Sequence, residues 1–431
     1  MIKIYKSIIF IMFLLPSLSF AQIEGEVVKP RGGKFLLQNA TIITVTQDTI
    51  DQGSVLISGG KIEAVGTDLQ EQDATIIDCS GLYIFPGMID SGTRLGLVEV
   101  NSVAETQDFM EIGPVSPQME ALSAINPNSV AIPVTRVSGV TTTLAIPAGG
   151  IFPGTSALIN LNGYTPDQMY TGFKGVVMNF PSSARTGNWD KRTDDVVKKE
   201  NEKEMENLNQ IWEKASTYQK LFSAGAELEY YPEMHQLAKV VSGELALLLE
   251  VNTAEDIEKA LLWLEDKEIK VILTGVAEGW RVAGKIAEAK IPVITGPVLS
   301  LPTRQSDRYD APYTNPGKML EAGIQVALRT NDAENVRNLP FNAGFAAAYG
   351  MGKEEALRAV TIVPAQIMGV DDILGSIEVG KSATLFVSDG DPFETQTQIK
   401  HVFIDGYQVP MSNRHIRLYQ EFLERSPGLV K

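Results

Sequence analysis

The spacing of apolar and polar positions changes twice along this chain. Over residues 34–84, short apolar runs at 35–37, 41–45, 54–58 and 62–65 are separated by turn residues, and Gly59-Gly60 reads as a hairpin turn. From Gly139 onward, β-type apolar runs at 139–147, 175–180, 245–251, 270–274, 291–294 and 324–328 alternate with helical patterns. That order predicts a parallel sheet with helices outside it. The far end returns to plain strands at 382–389, 398–404 and 407–409, the last two joined by Asp405-Gly406. The two strand-rich ends are expected to pair in one small β-domain. Residues 190–220 are charged and helical in pattern, with Val196, Val197, Met205, Leu208 and Trp212 on the apolar side, as on a solvated barrel helix.

The first residues have a different texture. Lys3 and Lys6 precede an apolar run over 8–15, and Ser19-x-Ala21 supplies the small residues of a secretory cleavage site. The run is shorter than the ~20 apolar residues a membrane span needs, and Pro16 interrupts it. Residues 1–21 are therefore expected to be a signal peptide, removed on export to the periplasm. No membrane anchor is expected after cleavage, since no Cys follows the apolar run to carry a lipid.

Charge narrows the partners. The 53 acidic residues exceed the 37 basic ones, giving a net charge of −16 over 431 residues. A polyanionic nucleic acid would be repelled. The single cysteine, Cys79, cannot close an internal disulfide, and only three histidines occur: His235, His401 and His415.

Two motifs suggest chemistry. Gly375-Ser-Ile-Glu-Val-Gly380-Lys381-Ser382 fits the phosphate-cradling pattern G-x-x-x-x-G-K-[ST]. That loop must open a helix, whereas the residues that follow, 383–387, read as a strand, which argues against nucleotide binding. The second motif is Gly81-Leu-Tyr-Ile-Phe-Pro-Gly-Met-Ile-Asp90. Together with Gly139-Val-Thr-Thr-Thr-Leu, the run 354–365, the run 375–381 and Val402-Phe-Ile-Asp-Gly406, it resembles the landmarks of imidazolonepropionase-like amidohydrolases, in the right order from about residue 34 to 409. The resemblance implies an α/β protein: a distorted (β/α)8 TIM-like barrel over 85–374, plus a composite β-sandwich from both chain ends, 22–84 and 375–431. It also implies hydrolysis of non-peptide carbon–nitrogen bonds, with one or two divalent metals activating water.

Carrying the family's ligands onto this chain leaves few of them. The His-x-His pair that follows the first strand falls on Gly92 and Arg94, the next histidine on Glu250, and a further one on Thr274. The last-strand aspartate falls on Asn331, or on Asp332 with a one-residue shift. Most metal ligands are therefore absent and no bound metal is expected, although a divalent metal is usual in the family. A centre of Asp90, Glu250 and Asp332 has oxygen ligands suited to Mg²⁺, Ca²⁺ or Mn²⁺, but Arg94 would repel such an ion. Glu250 and Asp332 are the candidate catalytic residues, and Arg94, Thr274 and Asn252 the candidate ligand-binding ones. Gly92 and Arg94, two apart, should share the face of a strand that looks into the barrel mouth, so Arg94 is expected to pair with Glu250, Asp332 or both. The Gly-rich run from Gly149 to Ser156 is a further candidate for ligand contact.

Two functions are compatible with this pattern. One is an exported protein with a degenerate metal site, binding a small molecule in the barrel mouth or serving as partner to an active amidohydrolase homologue. The other is a working hydrolase in which Glu250 and Asp332 handle protons.

Overall fold

The computed structural model describes residues 29–185 and 190–425. The signal-peptide expectation over 1–21 and the last six residues lie outside them. Among the described residues sixteen strands form two sheets. The first sheet takes its strands from both ends of the sequence: β1 (Phe35–Ile42), β2 (Ile50–Ser58), β3 (Lys61–Gly66), β4 (Thr75–Asp78) and β5 (Tyr83–Pro86), then β14 (Leu385–Ser388), β15 (Ile399–Ile404) and β16 (Tyr407–Val409). Its order is β16-β15-β14-β5-β1-β2-β3, with β4 beside β1. The two ends join where β14 runs antiparallel to β5, Phe386 opposite Phe85, with the two rings stacked at 5.3 Å. One core beneath this sheet contains Phe35, Leu37, Ile57, Ile84, Leu385 and Phe403.

The second sheet is the barrel: β6 (Met88–Thr93), β7 (Val140–Ala145), β8 (Gly154–Asn160), β9 (Tyr170–Asn179), β10 (Ala246–Val251), β11 (Val271–Gly275), β12 (Val293–Thr295) and β13 (Val326–Leu328), in sequence order around the ring. Backbone bonds just past the two end strands draw it shut: the Asn331 amide donates to the Gly92 carbonyl and the Arg94 amide to the Asp332 carbonyl, both at 2.9 Å. Ile89, Leu144, Leu158, Val177, Leu248, Ile272, Ile294 and Ala327 pack in one apolar cluster inside the ring, as inward-facing positions of a small barrel must. The outward residues pack against the helices in a second cluster.

Two expectations need correction. The barrel is not all parallel, because β8 runs antiparallel to both β7 and β9. The Gly149-to-Ser156 run leads into β8 through a tight turn. Gly150 takes φ +60, and a Cβ there would lie 2.7 Å from the Pro114 carbonyl oxygen, so the run is glycine-rich because another backbone crosses it. In the helix Asp194–Ser223, Val197, Leu208 and Trp212 are buried, but Val196 is exposed, one position off the stripe. The sequence from 375 to 382 leads into β14, and Lys381 bonds Ser376 within it at 2.5 Å. Among the described residues no helix is long and apolar enough to cross a membrane.

Candidate functional site

Strand alternation builds the site. Leu248, Ile272 and Ala327 belong to the apolar layer inside the barrel, and the same face two residues further along each strand carries Glu250, Thr274 and Arg329. Glu250 stands beside Thr274 in the register of β10 and β11. Arg329 leaves the end of β13 with its amide on the Thr295 carbonyl at 2.9 Å.

These side chains close on one another. Arg329 grips Glu250 with two parallel bonds, Nη1 to Oε2 at 2.8 Å and Nη2 to Oε1 at 2.7 Å. Thr274 Oγ1 donates to Oε2 at 2.7 Å and Asn252 Nδ2 to Oε1 at 3.2 Å. Burial by itself would raise the Glu250 carboxyl, but the Arg329 charge and these donors outweigh it and hold the group below the usual carboxylate range. The side chain of Arg329 is 3% exposed and that of Glu250 25%, so the pair is dry on the barrel side and wet on the other.

Of the residues expected at the site, Glu250, Thr274 and Asn252 therefore meet in one hydrogen-bonded cluster, and Arg94 and Asp332 stand apart from it. The place expected of Arg94, gripping Glu250, is taken by Arg329. Arg94 lies past the last residue of β6, where alternation no longer fixes its direction, and its guanidinium carbon sits 5.0 Å over the Phe109 ring. The Asp332 carboxylate is engaged by its own turn, accepting from the amides of Ala333, Glu334 and Asn335 at 2.6, 2.9 and 3.0 Å. Those bonds hold it below its usual range although burial opposes them. Asn331 adopts φ +51.

Gly92 explains why Arg329 fits. A Cβ there would lie 2.8 Å from Arg329 Cδ and 2.9 Å from Ile146 Cδ1. The stem of the arginine fills the space that a side chain at 92 would need.

Asp90 sits at the same end of the ring with no exposure. It accepts from Thr330 Oγ1 at 2.6 Å, from the Thr330 amide and from the Gly92 amide. Burial pushes its carboxyl up to about 7, against those donors and the Arg329 charge. A carboxyl whose folded value lies above its unfolded value of about 3.9 contributes stability at low pH that is lost as pH rises. The stability of the wild-type protein minus that of Asp90→Asn should therefore fall between pH about 4 and about 7, then stay level. Denaturant titrations of both proteins across that range check this; a gap independent of pH would refute it.

A cleft of about 160 Å³ opens beside the pair, with Glu250, Asn252, Arg329 and Asn331 along one side and Pro297, Ser300 and Leu301 along the other. The segment that carries the second wall is tied down by ion pairs. Arg304 bonds both oxygens of the buried Glu278 at 2.5 Å, and Arg281 pairs with Asp307.

The donor set does not fit a divalent ion. Both Glu250 oxygens are held by a guanidinium, whose charge would repel a cation at that point. Asp90 accepts on both oxygens, and Asp332 Oδ1 is taken by three backbone amides, with Asn335 Nδ2 at 3.3 Å from Oδ2. Among the described residues no group of three or more His, Cys, Asp or Glu side chains is placed to hold a metal. The histidines are elsewhere: His235 packs against Phe222 and Tyr230, His401 bonds Gln408 on the first sheet, and His415 meets Arg337.

Comparison with known proteins finds relatives of this chain. The amidohydrolase family model matches residues 249–409. Imidazolonepropionase of Shouchella clausii is 24% identical over an alignment covering 89% of this chain and 88% of that protein. D-hydantoinase of Geobacillus stearothermophilus is 40% identical over 81 residues, so the match spans 16% of that protein's length. Among solved structures, an amidohydrolase from Thermotoga maritima superposes with a TM-score of 0.77 at 27% identity, over 88% of this chain and 100% of that one. With its ring of strands, its two-ended β-domain and these relatives, the chain is similar in sequence and in fold to the amidohydrolase superfamily.

Proposed function

We propose that this chain is an exported amidohydrolase-fold protein whose barrel mouth binds a small molecule without a metal ion, as a binding subunit or as partner to an active amidohydrolase homologue. The observation that carries the reading is the bidentate Arg329–Glu250 pair, with Thr274 and Asn252 completing it, at the strand ends where the family's chemistry takes place. In this reading Arg94, Thr274 and Asn252 are ligand-binding residues, and Glu250 is an anchor for Arg329. Export is supported by Lys3, Lys6, the apolar run and Ser19-x-Ala21.

The rival is a hydrolase with Glu250 and Asp332 as proton carriers. A general base needs a free lone pair within reach of its proton, and Glu250 spends those of both oxygens on Arg329, Thr274 and Asn252, while Asp332 is tied into its own turn through Oδ1. The relatives named as enzymes keep that rival in view, and one preparation tests both. Protein from the periplasmic fraction of its native host should begin at Gln22 and hold well under one equivalent of zinc by elemental analysis after dialysis without chelator. An intact Met1, or an ion near one per chain, would sink the corresponding half of the proposal.

A further inference from the structure

The barrel mouth holds a second guanidinium that no carboxylate among the described residues pairs with. The Arg94 amide is fixed on the Asp332 carbonyl at 2.9 Å, its guanidinium lies over Phe109, and the residue is half-buried. Among the described residues no Asp or Glu oxygen lies within 4.0 Å of it. Glu250 and Asp332 are near enough for their charges to act on Arg94, but Glu250 is committed to Arg329 and Asp332 to three backbone amides. Burial works against the charged form of Arg94, and the like charge of Arg329 adds to that. A permanently charged, partly dried fork with open donors is a receptor for a planar anion.

The charges of Arg329 and Glu250, which line the cleft, act on this guanidinium. Asn331, another residue lining the cleft, is bonded through its amide to the Gly92 carbonyl, so the Arg329–Asn331 wall and Arg94 share one rim. The cleft offers amides and a hydroxyl on Asn252, Asn331 and Ser300, and an apolar side on Leu301 and Pro312. Ionised Glu250 at its floor disfavours a second negative charge on the ligand.

We propose that the mouth binds a small organic monocarboxylate, its carboxylate on the Arg94 guanidinium and its short carbon skeleton in the cleft beside Asn252, Ser300 and Leu301. This deepens the reading of the mouth as a metal-free ligand site, and rests on it. Two planar oxygens match the two parallel donors of the fork, whereas a phosphate brings more charge than one free guanidinium answers.

Titration calorimetry with valerate and 4-acetamidobutyrate, their uncharged primary amides, and inorganic phosphate tests the assignment on the full mature chain. The acids should bind roughly tenfold or more tightly than their amides. That preference should vanish in Arg94→Gln and survive in part in Arg94→Lys, which keeps the charge and loses the fork. Acids and amides bound alike by the wild-type protein, phosphate bound more tightly than either acid, or a preference unchanged in a folded Arg94→Gln would each overturn the inference. Elemental analysis of the same samples keeps the two readings apart. A tightly held divalent ion with the acid preference intact overturns only the metal-free reading, whereas ion-free protein that ignores the carboxylate overturns only this one.

Discussion

Arg329→Met is expected to lower the stability of this protein by about 3 kcal/mol or more, the largest effect of any single side chain at the barrel mouth. The reason is the charge left behind. Without the guanidinium, Glu250 keeps only Thr274 and Asn252 as donors, and its carboxylate rests on the apolar layer of Leu248, Ile272 and Ala327. Breaking a fully buried pair by removing one partner costs ~3–5 kcal/mol; the 25% exposure of Glu250 places this case at the lower end. Glu250→Leu alone should be comparably harmful, because Arg329 at 3% exposure would then be a buried, unpaired cation. The double variant Arg329→Met/Glu250→Leu should recover much of the loss, since apolar replacement of a whole buried pair is often close to neutral. Urea denaturation of the four proteins gives the coupling directly. Additive losses would mean that the two side chains do not stabilise the fold as a pair.

Gly92→Ala should destabilise the protein by about 1–3 kcal/mol. Of the two atoms in its way, Ile146 Cδ1 is the end of a flexible side chain and can turn aside. Arg329 Cδ cannot, because moving it by a few tenths of an ångström drags the guanidinium off Glu250. Removing the obstacle should remove the penalty, so in an Arg329→Ala background the same Gly92→Ala change should be felt far less. Gly92→His should be worse than Gly92→Ala in the parent and should also improve in that background. Thermal melts of the single and double variants decide it; a Gly92→Ala protein that melts with the parent would show that the ring has slack at this point.

These two expectations share a cause that the sequence displayed only in part. The β-rich ends, the βα alternation and the family landmarks were legible because each is a local pattern of apolar spacing and turn residues. Glu250 and Thr274 were legible as neighbours at strand ends, since alternation carries a side chain inward every second residue. Arg329 obeys the same rule, two residues past Ala327 of the inner layer, yet counting along the last strand for an aspartate passed over it. Arg94 attracted the assignment by its spacing from Gly92, but β6 ends at Thr93 and its pairing with β7 slips between Asp90 and Thr93, so the alternation did not extend that far. Asp332 was legible as an acid and not as a turn cap, because the three amides it binds are its own successors and their direction depends on a backbone turn. What stayed hidden in each case was a long-range or conformational condition: Gly92 is empty because of a residue from the opposite end of the barrel.

The joint between β5 and β14 has a kinetic side. Those strands lie at opposite ends of the barrel sequence, and each covers the other's hydrogen-bonding edge. Until the later strand arrives, β5 presents an open row of amides and carbonyls next to Phe85, the kind of edge that recruits strands from other molecules. The first sheet is thus assembled across nearly the whole chain, a topology of high contact order, and its strands can reach their final order only after the ring between them has drawn its ends together.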